Sequence, residues 1–382
     1  MLTVSLVSNY NTFRNYKDEW DDLLSKSDAD NIFLTYDWID ACLKHFHKTE
    51  EVLILNIFQD NKLVGIAPLV IMKKRCMGFA ARMVCFIGTS ISDRMDFIID
   101  GNKNKEEIIT LILDYLMKIK GRWDIVDLQE IAENTGTMKI IERYIENNKI
   151  MNIIGPQAKS FFIELNKNKD FIFQKYSTRL RKRLRKNKLH DMNFKAERHM
   201  NGDINAESLF STISDIERYS WKGEGQCGIF SKRKGRCFHE QIFNKFSNNK
   251  WLDVAILSIN SKPAAYIYNY LYKQKSYNYN IAFDKKYYNF SPGVILMMWM
   301  LKDSASKDIS EFDFIRGEGS WKKRFTETFR IHDRVKIFNE IFFSKHLYCF
   351  QAKIKPWLKK IKIVHIMWKI LKDGINAFKD RR

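Results

Sequence analysis

Residues 282–325 read AFDKKYYNFSPGVILMMWMLKDSASKDISEFDFIRGEGSWKKRF. A strand ends at Phe283-Asp284, a loop follows, and a helix opens at Ser291-Pro292-Gly293 and runs to about Ser306. Ser291 suits an N-cap and Pro292 a first helical position. Gly293 lets another group approach the backbone closely. The start of a helix carries unpaired N–H groups and the positive end of the dipole, which suits a phosphate. The same residues also fit a plainly capped helix with no ligand. The next strand, Glu311–Ile315, ends in Arg316-Gly317-Glu318-Gly319-Ser320-Trp321-Lys322-Lys323-Arg324-Phe325. Glycines followed by cations at a strand end can hold an anion near a sheet. Taken alone, they equally describe an exposed turn with solvated charges.

Upstream of this stretch, WLDVAILSINSKPAAYIYNYLYKQKSYNYNIAF reads as three antiparallel strands, with turns at Asn260-Ser261-Lys262-Pro263 and near Lys273-Gln274. The first half of the chain has the same order. EVLILNIFQDNKLVGIAPLVIMKKR is a hairpin turning at Gln-Asp-Asn-Lys, followed by strands near Met83–Ile87 and Asp96–Ile99. A helix follows over about 104–119, with Ile108, Ile112, Tyr115 and Ile119 on one face, and then the strand Trp123–Leu128. Gly65 and Ala265 mark matching hairpin arms. Trp123-Asp124-Ile125-Val126 matches Phe312-Asp313-Phe314-Ile315. The pattern is α+β: two copies of one unit, with mixed, mostly antiparallel sheets flanked by helices. The expected division is 1–160, 161–342 and a tail, 343–382. In the tail, Trp357, Ile361, Val364, Trp368, Leu371 and Ile375 form a helical stripe behind Pro356.

The chain has 382 residues, of which 45% are hydrophobic and 14% aromatic, enough for real cores and too many for a disordered chain. Lys+Arg total 65 against 45 Asp+Glu, a net charge of +20 that points to anionic partners. The N-terminus shows no signal peptide and no stretch is apolar enough to span a bilayer, so a cytoplasmic location is expected. Cys42, Cys76, Cys85, Cys227, Cys237 and Cys349 are scattered as reduced thiols would be. They match no zinc spacing, and no metal is expected. No P-loop or dinucleotide glycine pattern is present, and the eight histidines show no nucleophile–base arrangement.

The ordered set Phe-Asp, Ser-Pro-Gly opening a helix, Phe-Asp-Phe-Ile-x-Gly and Trp-Lys-x-x-Phe resembles the bacterial cellulose-biosynthesis-type acyltransferases. These are a branch of the GNAT superfamily, related to the Fem-type aminoacyltransferases of peptidoglycan. Asp-Asn-Ile-Phe-Leu-Thr-Tyr-Asp-Trp (30–38), Leu63–Leu69, Gly88 with Asp93 and Asp96, Ser220-Trp221-Lys222 and Gly228-Ile229-Phe230 extend the likeness over about residues 15–340. Trp321 departs from it, standing where the family usually has Tyr. The resemblance implies two tandem GNAT-like domains and an acyl-CoA donor, with pantetheine lying between splayed central strands. The donor's diphosphate would rest at Ser291, Pro292 and Gly293 and on the amides near Val294 and Ile295. Asp284 and Asp313 are candidate acid/base groups, and Lys322 a candidate for a phosphate or the oxyanion. Asp93, Asp96, Arg218, Trp221 and Lys222 are candidate acceptor contacts. Turn capping, packing and solvation are the ordinary alternatives for each. The first copy has Gly101-Asn102-Lys103-Asn104 in place of Ser-Pro-Gly, so it is expected to be cofactor-free and to shape the acceptor site.

Residues 171–188 carry eight Lys/Arg and no acid, and residues 347–382 carry ten Lys/Arg against two Asp. The first run suits CoA, a lipid-linked diphosphate sugar, anionic lipid or tRNA, as well as plain solvation. The tail over 356–378 suits an anionic membrane surface at the inner leaflet, or docking on its own protein. The leading expectation is an acyltransferase moving an acyl group from acyl-CoA to an amine or hydroxyl of a sugar or envelope precursor. The alternatives are a Fem-type transferase using aminoacyl-tRNA, and a non-catalytic basic protein binding nucleic acid or membrane.

Overall fold

Asp60-Asn61 and Asn260-Ser261 turn the chain at corresponding points of the two copies. In the computed structural model these four residues have φ of 51°, 62°, 51° and 62°. This is the type I′ geometry whose twist matches that of the flanking strands. The second turn is tighter than the sequence pattern implies, because Lys262 and Pro263 already belong to the strand. The register slips between Pro263 and Ala265, where a missing donor is tolerated.

The structure describes residues 1–76, 79–165, 193–200, 205–354 and 357. The expected basic run 171–188 and the tail 356–378, apart from Trp357, lie outside them. The described chain forms two compact units, Met1–Ala158 with the chain from Ile331 onward, and Lys159–Arg330.

In the first unit the strands are β1 (Leu2–Val7), β2 (Glu51–Gln59), β3 (Lys62–Cys76), β4 (Phe79–Phe86), the short β5 (Ile98–Ile99) and β6 (Ile125–Ala132). Their order is β1-β2-β3-β4-β6, with β5 on the flank of β3. Among the described residues only the β4–β6 strand pair is parallel, at Met83↔Ile125 and Val84↔Val126. The helix Lys105–Lys118 buries Ile108, Ile109, Ile112, Leu113 and Leu116, a face turned slightly from the expected stripe through Tyr115. It lies close on β3: a Cβ on Gly65 would stand 2.9 Å from Ile108 Cγ2.

The second unit repeats this plan. Asn152–Glu164 is β7, whose residues from Lys159 belong here. It is followed by β8 (Phe194–Met200), β9 (Leu252–Ile259), β10 (Lys262–Tyr272), β11 (Lys275–Phe283) and β12 (Glu311–Arg316). The order is β8-β9-β10-β11-β12-β7, again with one parallel pair, β11–β12. The helix Pro292–Ser306 packs Leu296, Met297, Met300 and Leu301 against Ile267, Phe312 and Phe314.

In the second unit β7 lies at the start of the contiguous stretch and pairs with β12. The first unit is completed by a strand from outside its own contiguous stretch. The last strand, β13 (Phe329–Phe338), pairs with β6 in the first unit at Val335↔Leu128 and Ile337↔Val126. This differs from the division at 342/343. From Ile331 the chain belongs to the first unit, and Leu347 of the helix Phe342–Cys349 packs there with Ile125, Cys85 and Phe338. A strand's alternation shows that it will pair, and leaves its partner unstated. Among the described residues no helix is long and apolar enough to cross a membrane. All six cysteines are free thiols.

Candidate functional site

The parallel pairing of β11 and β12 stops early. It covers Lys275↔Glu311, Ser276↔Phe312 and Tyr277↔Asp313. Beyond that point β11 runs on to Phe283 and β12 to Arg316 without pairing to each other. β12 is turned by a bulge: Asp313 faces Phe162, and the next pair is Arg316 with Ser160. Ile315, the residue at the kink, has φ of 51°, rare for a β-branched side chain. Several contacts hold it there. Asp313 Oδ1 accepts from the Ile315 N–H (2.6 Å) and from Ser160 Oγ (3.0 Å). Lys322 Nζ donates to the carbonyls of Ile315 (3.0 Å) and Arg316 (2.7 Å).

A cavity of about 490 Å³ occupies the splay. Its walls are Asn278–Phe283 of β11, Phe314–Arg316 of β12, the start of the helix at Ser291, Gly293 and Val294, and the turn carrying Trp321, Lys322, Arg324 and Phe325. Trp221 and Lys222 close one side. Among the described residues four cations line it (Lys222, Arg316, Lys322 and Arg324) and no carboxylate does. The rest is mainly apolar or aromatic. Such a slot accepts an extended, partly apolar ligand that ends in anionic groups.

The helix start departs from the expected cap. Ser291 is left-handed (φ 53°, ψ 49°) and its side chain caps nothing. Its carbonyl instead accepts from Val294 N (3.0 Å) and Ile295 N (3.2 Å), so these two expected phosphate donors are already engaged. Pro292 has no N–H, which leaves Gly293 as the first-turn residue with an N–H not spent inside the helix. A Cβ there would meet Phe283 Cδ1 at 3.5 Å, an ordinary contact. An anion at this point would lean on the side-chain cations more than on amides.

Lys222 is set by a network that runs behind the cavity wall. Glu217 is 1% exposed. Its carboxylate accepts from Phe230 N (2.8 Å), Tyr266 Oη (2.9 Å) and Asn280 Nδ2 (2.8 Å). Asn280 Oδ1 then accepts from Lys222 Nζ, which also donates to the Ile281 carbonyl at 2.7 Å. Burial pulls the Lys222 pKa below the ordinary lysine value, against the opposing pull of Glu217 and Cys227. A Cβ on Gly228 would fall 2.3 Å from Glu217 Oε1, so the network needs glycine there. Sequence reading missed Glu217, Asn280 and Tyr266. The available signal was an acid at position 217 on the same helical face as the buried Phe210 and Ile213.

The other expected residues are placed differently. Asp284 lies off the cavity: it caps the following turn through Lys286 N (3.0 Å) and pairs with Lys286 Nζ (2.7 Å). With Arg218, it lines a separate depression beside Tyr219. Asp313 is fully buried, bound to the bulge and to Arg330 at 3.3 Å. Asp93 and Asp96, at 1% and 2% exposure, lie inside the first unit rather than on a surface that could receive a substrate. Asp96 accepts from Thr137 Oγ1 (3.0 Å).

The first unit also differs at the position of the splay. Past the last β4–β6 pair, its own chain enters: Met95 N donates to the Glu130 carbonyl (2.9 Å) and Met95 bridges in parallel to Ile131. Buried His332 Nδ1 sits 3.2 Å from Asp93 and 3.0 Å from Glu130. By distance alone these three groups could surround a cation. However, Arg94 already adds a positive charge near His332, and with a protonated His332 the four charges cancel. Burial opposes charging of His332, but the two carboxylates outweigh it and raise the pKa. The stabilisation is therefore complete below the ordinary histidine value of about 6.5 and is lost as pH rises through the raised folded value. Urea midpoints for the first unit should fall as pH is taken from 6 to 9, and His332→Gln should flatten that slope.

Residues 174–323 match the family model described as Acetyltransferase (GNAT) domain. No curated protein sequence matches the chain. Among solved structures it is similar to FemX, with a TM-score of 0.58 at 11% identity over 87% of this chain and 98% of that one. It is also similar to the C-terminal domain of a putative lysylphosphatidylglycerol synthetase from Agrobacterium fabrum (TM-score 0.52, 11% identity, 88% and 95% covered). A third likeness is to L-PGS from Bacillus licheniformis (TM-score 0.50, 10% identity, 86% and 94% covered). The chain has a GNAT-type acyltransferase fold, with two tandem α+β units and the open strand splay in the unit that the family model matches.

Proposed function

We propose that the second unit transfers an acyl group from acyl-CoA to an amine or hydroxyl of a sugar or other cell-envelope precursor, as in bacterial polysaccharide assembly. The observation that carries this is the splay of β11 from β12, lined among the described residues by four cations and no carboxylate. Pantetheine is an extended chain with amides, suited to the unpaired edge of β11, and its diphosphate needs positive charge at the mouth. The thioester would then lie between the strands, within the wall formed by Lys222, Phe314 and Ile315. The first unit carries no donor, since Met95 and the Asp93–His332–Glu130 cluster fill the corresponding place. On motif order we place the chain nearest the cellulose-biosynthesis-type branch. The basic tail at 356–378 would hold it at the inner membrane face.

Calorimetry with acetyl-CoA tests the donor. Wild type should bind, and Gly293→Ala should fold normally because its Cβ has room. Gly293→Glu, which sets a carboxylate against the phosphates, should weaken binding by roughly a hundredfold, about 2.7 kcal/mol. Equal affinity in all three proteins would remove the diphosphate from the helix start. The likeness to FemX and to lysylphosphatidylglycerol synthetases favours one other donor, aminoacyl-tRNA. Label reaching an envelope extract from charged tRNA and not from acetyl-CoA would select it.

A further inference from the structure

We propose that Lys222 carries the proton of the acyl-transfer step, taking it from the attacking amine or hydroxyl and passing it to the departing sulfur. This rests on the acyl-CoA reading above and names the group that serves it.

The geometry is that of a nitrogen with two of its three free positions already assigned. Lys222 Nζ donates to Asn280 Oδ1 and to the Ile281 carbonyl. Both partners are acceptors, so both positions hold hydrogens whatever the charge on the amine. The third position is a lone pair when Lys222 is neutral and an N–H when it is charged, and Lys222 lies on the cavity wall. The amide orientation is not a free choice. Glu217 can only accept, so Asn280 must turn Nδ2 toward it and Oδ1 toward Lys222. Tyr266 Oη, 2.8 Å from the same Nδ2 and bonded to Glu217, reinforces this. Three buried side chains thus hold a single amine.

Burial favours the neutral form, and Glu217, one residue removed through Asn280, limits how far. A lone pair aimed at the cavity is what a group that first accepts and then donates a proton requires. Asp284 binds Lys286 away from the cavity and Asp313 holds the bulge; Lys322 shares the cavity wall, but both its carbonyl partners belong to the bulge it braces. The step balances. The acceptor's nitrogen or oxygen forms a bond to the acyl carbon, and its proton moves to the Lys222 lone pair. The tetrahedral centre collapses, the carbon–sulfur bond breaks, and the electron pair leaves on sulfur. Lys222 returns the proton to that thiolate, giving free CoA thiol, the acylated acceptor and a neutral amine again.

The test needs no substitution. The intact protein is labelled with trace fluorodinitrobenzene between pH 6 and 11, with Nα-acetyl-lysine amide in the same tube, and Lys222 is read by peptide mass spectrometry. The Lys222 midpoint is expected to fall below that of the standard. Acetyl-CoA at ten times its Kd should cut labelling at Lys222 by roughly tenfold, following the fraction of sites left open. A midpoint at or above the standard overturns the proposal. If acetyl-CoA still raises the melting temperature in that case, the donor reading survives without it. A low midpoint with neither protection nor a melting shift would sink both.

Discussion

Lys322→Met should unmake the bulge and the anion site together. Lys322 is 7% exposed, and its ammonium bonds the carbonyls of Ile315 and Arg316. These carbonyls are turned toward it because Ile315 is held left-handed. Hydrogen bonds to charged groups contribute about 1.5–3 kcal/mol each, and the carbonyls left behind would be poorly satisfied. The second unit is expected to lose about 3–6 kcal/mol of stability, and acetyl-CoA affinity to fall roughly a hundredfold. Lys322→Arg keeps the charge and should recover part of the binding, while its wider head group strains the bulge. Denaturation of the free protein and calorimetry with acetyl-CoA separate the two effects. A variant that loses stability but binds as wild type would reduce Lys322 to a brace.

Arg198→Met should be the most damaging change to folding away from the cavity. Arg198 on β8 is 2% exposed at its side chain and makes a two-pronged pair with Asp253 at 2.7 Å, and a further bond to Asp303 at 2.6 Å. Asp253 has no exposure at all. Removing the cation leaves that carboxylate buried without its charge partner, at a cost of about 3–5 kcal/mol. The double change Arg198→Met with Asp253→Leu should recover much of the loss, because an apolar pair of similar volume can replace a buried ion pair at little cost. Guanidinium unfolding of the two proteins decides it; equal midpoints for the single and double variants would contradict the charge argument.

Much of this was legible in the residues. The hairpins at Asp60-Asn61 and Asn260-Ser261 and the helices at 105–118 and 292–306 follow from turn chemistry and apolar spacing. So does the repeat, because two copies of one pattern produce two units with the same strand order. The return of β13 to the first unit was not legible. β7 and β13 look like any half-buried strand, and partner choice is settled by the whole sheet. The cavity was half legible. Ser291-Pro292-Gly293 and the cations after β12 do line it, since a helix start and a strand end meet at one edge of the sheet. Asp284 and Asp313 are held by local bonds instead of lining the cavity: Lys286 lies two residues on from one, and the Ile315 amide two residues on from the other. Sequence shows which groups are acidic; it does not show which nearby N–H will claim them first. Glu217, Asn280 and Lys222 come together only through the packing of a helix on β10 and β11.

A crystal structure of the full chain with an acetyl-CoA thioether analogue tests the central claim most directly. The account predicts the pantetheine along β11 beyond Tyr277, the diphosphate between Gly293 and the cations of the Arg316–Arg324 turn, and the sulfur within reach of Lys222. An analogue bound only within the first unit, or a cavity left empty at saturating analogue, would contradict it.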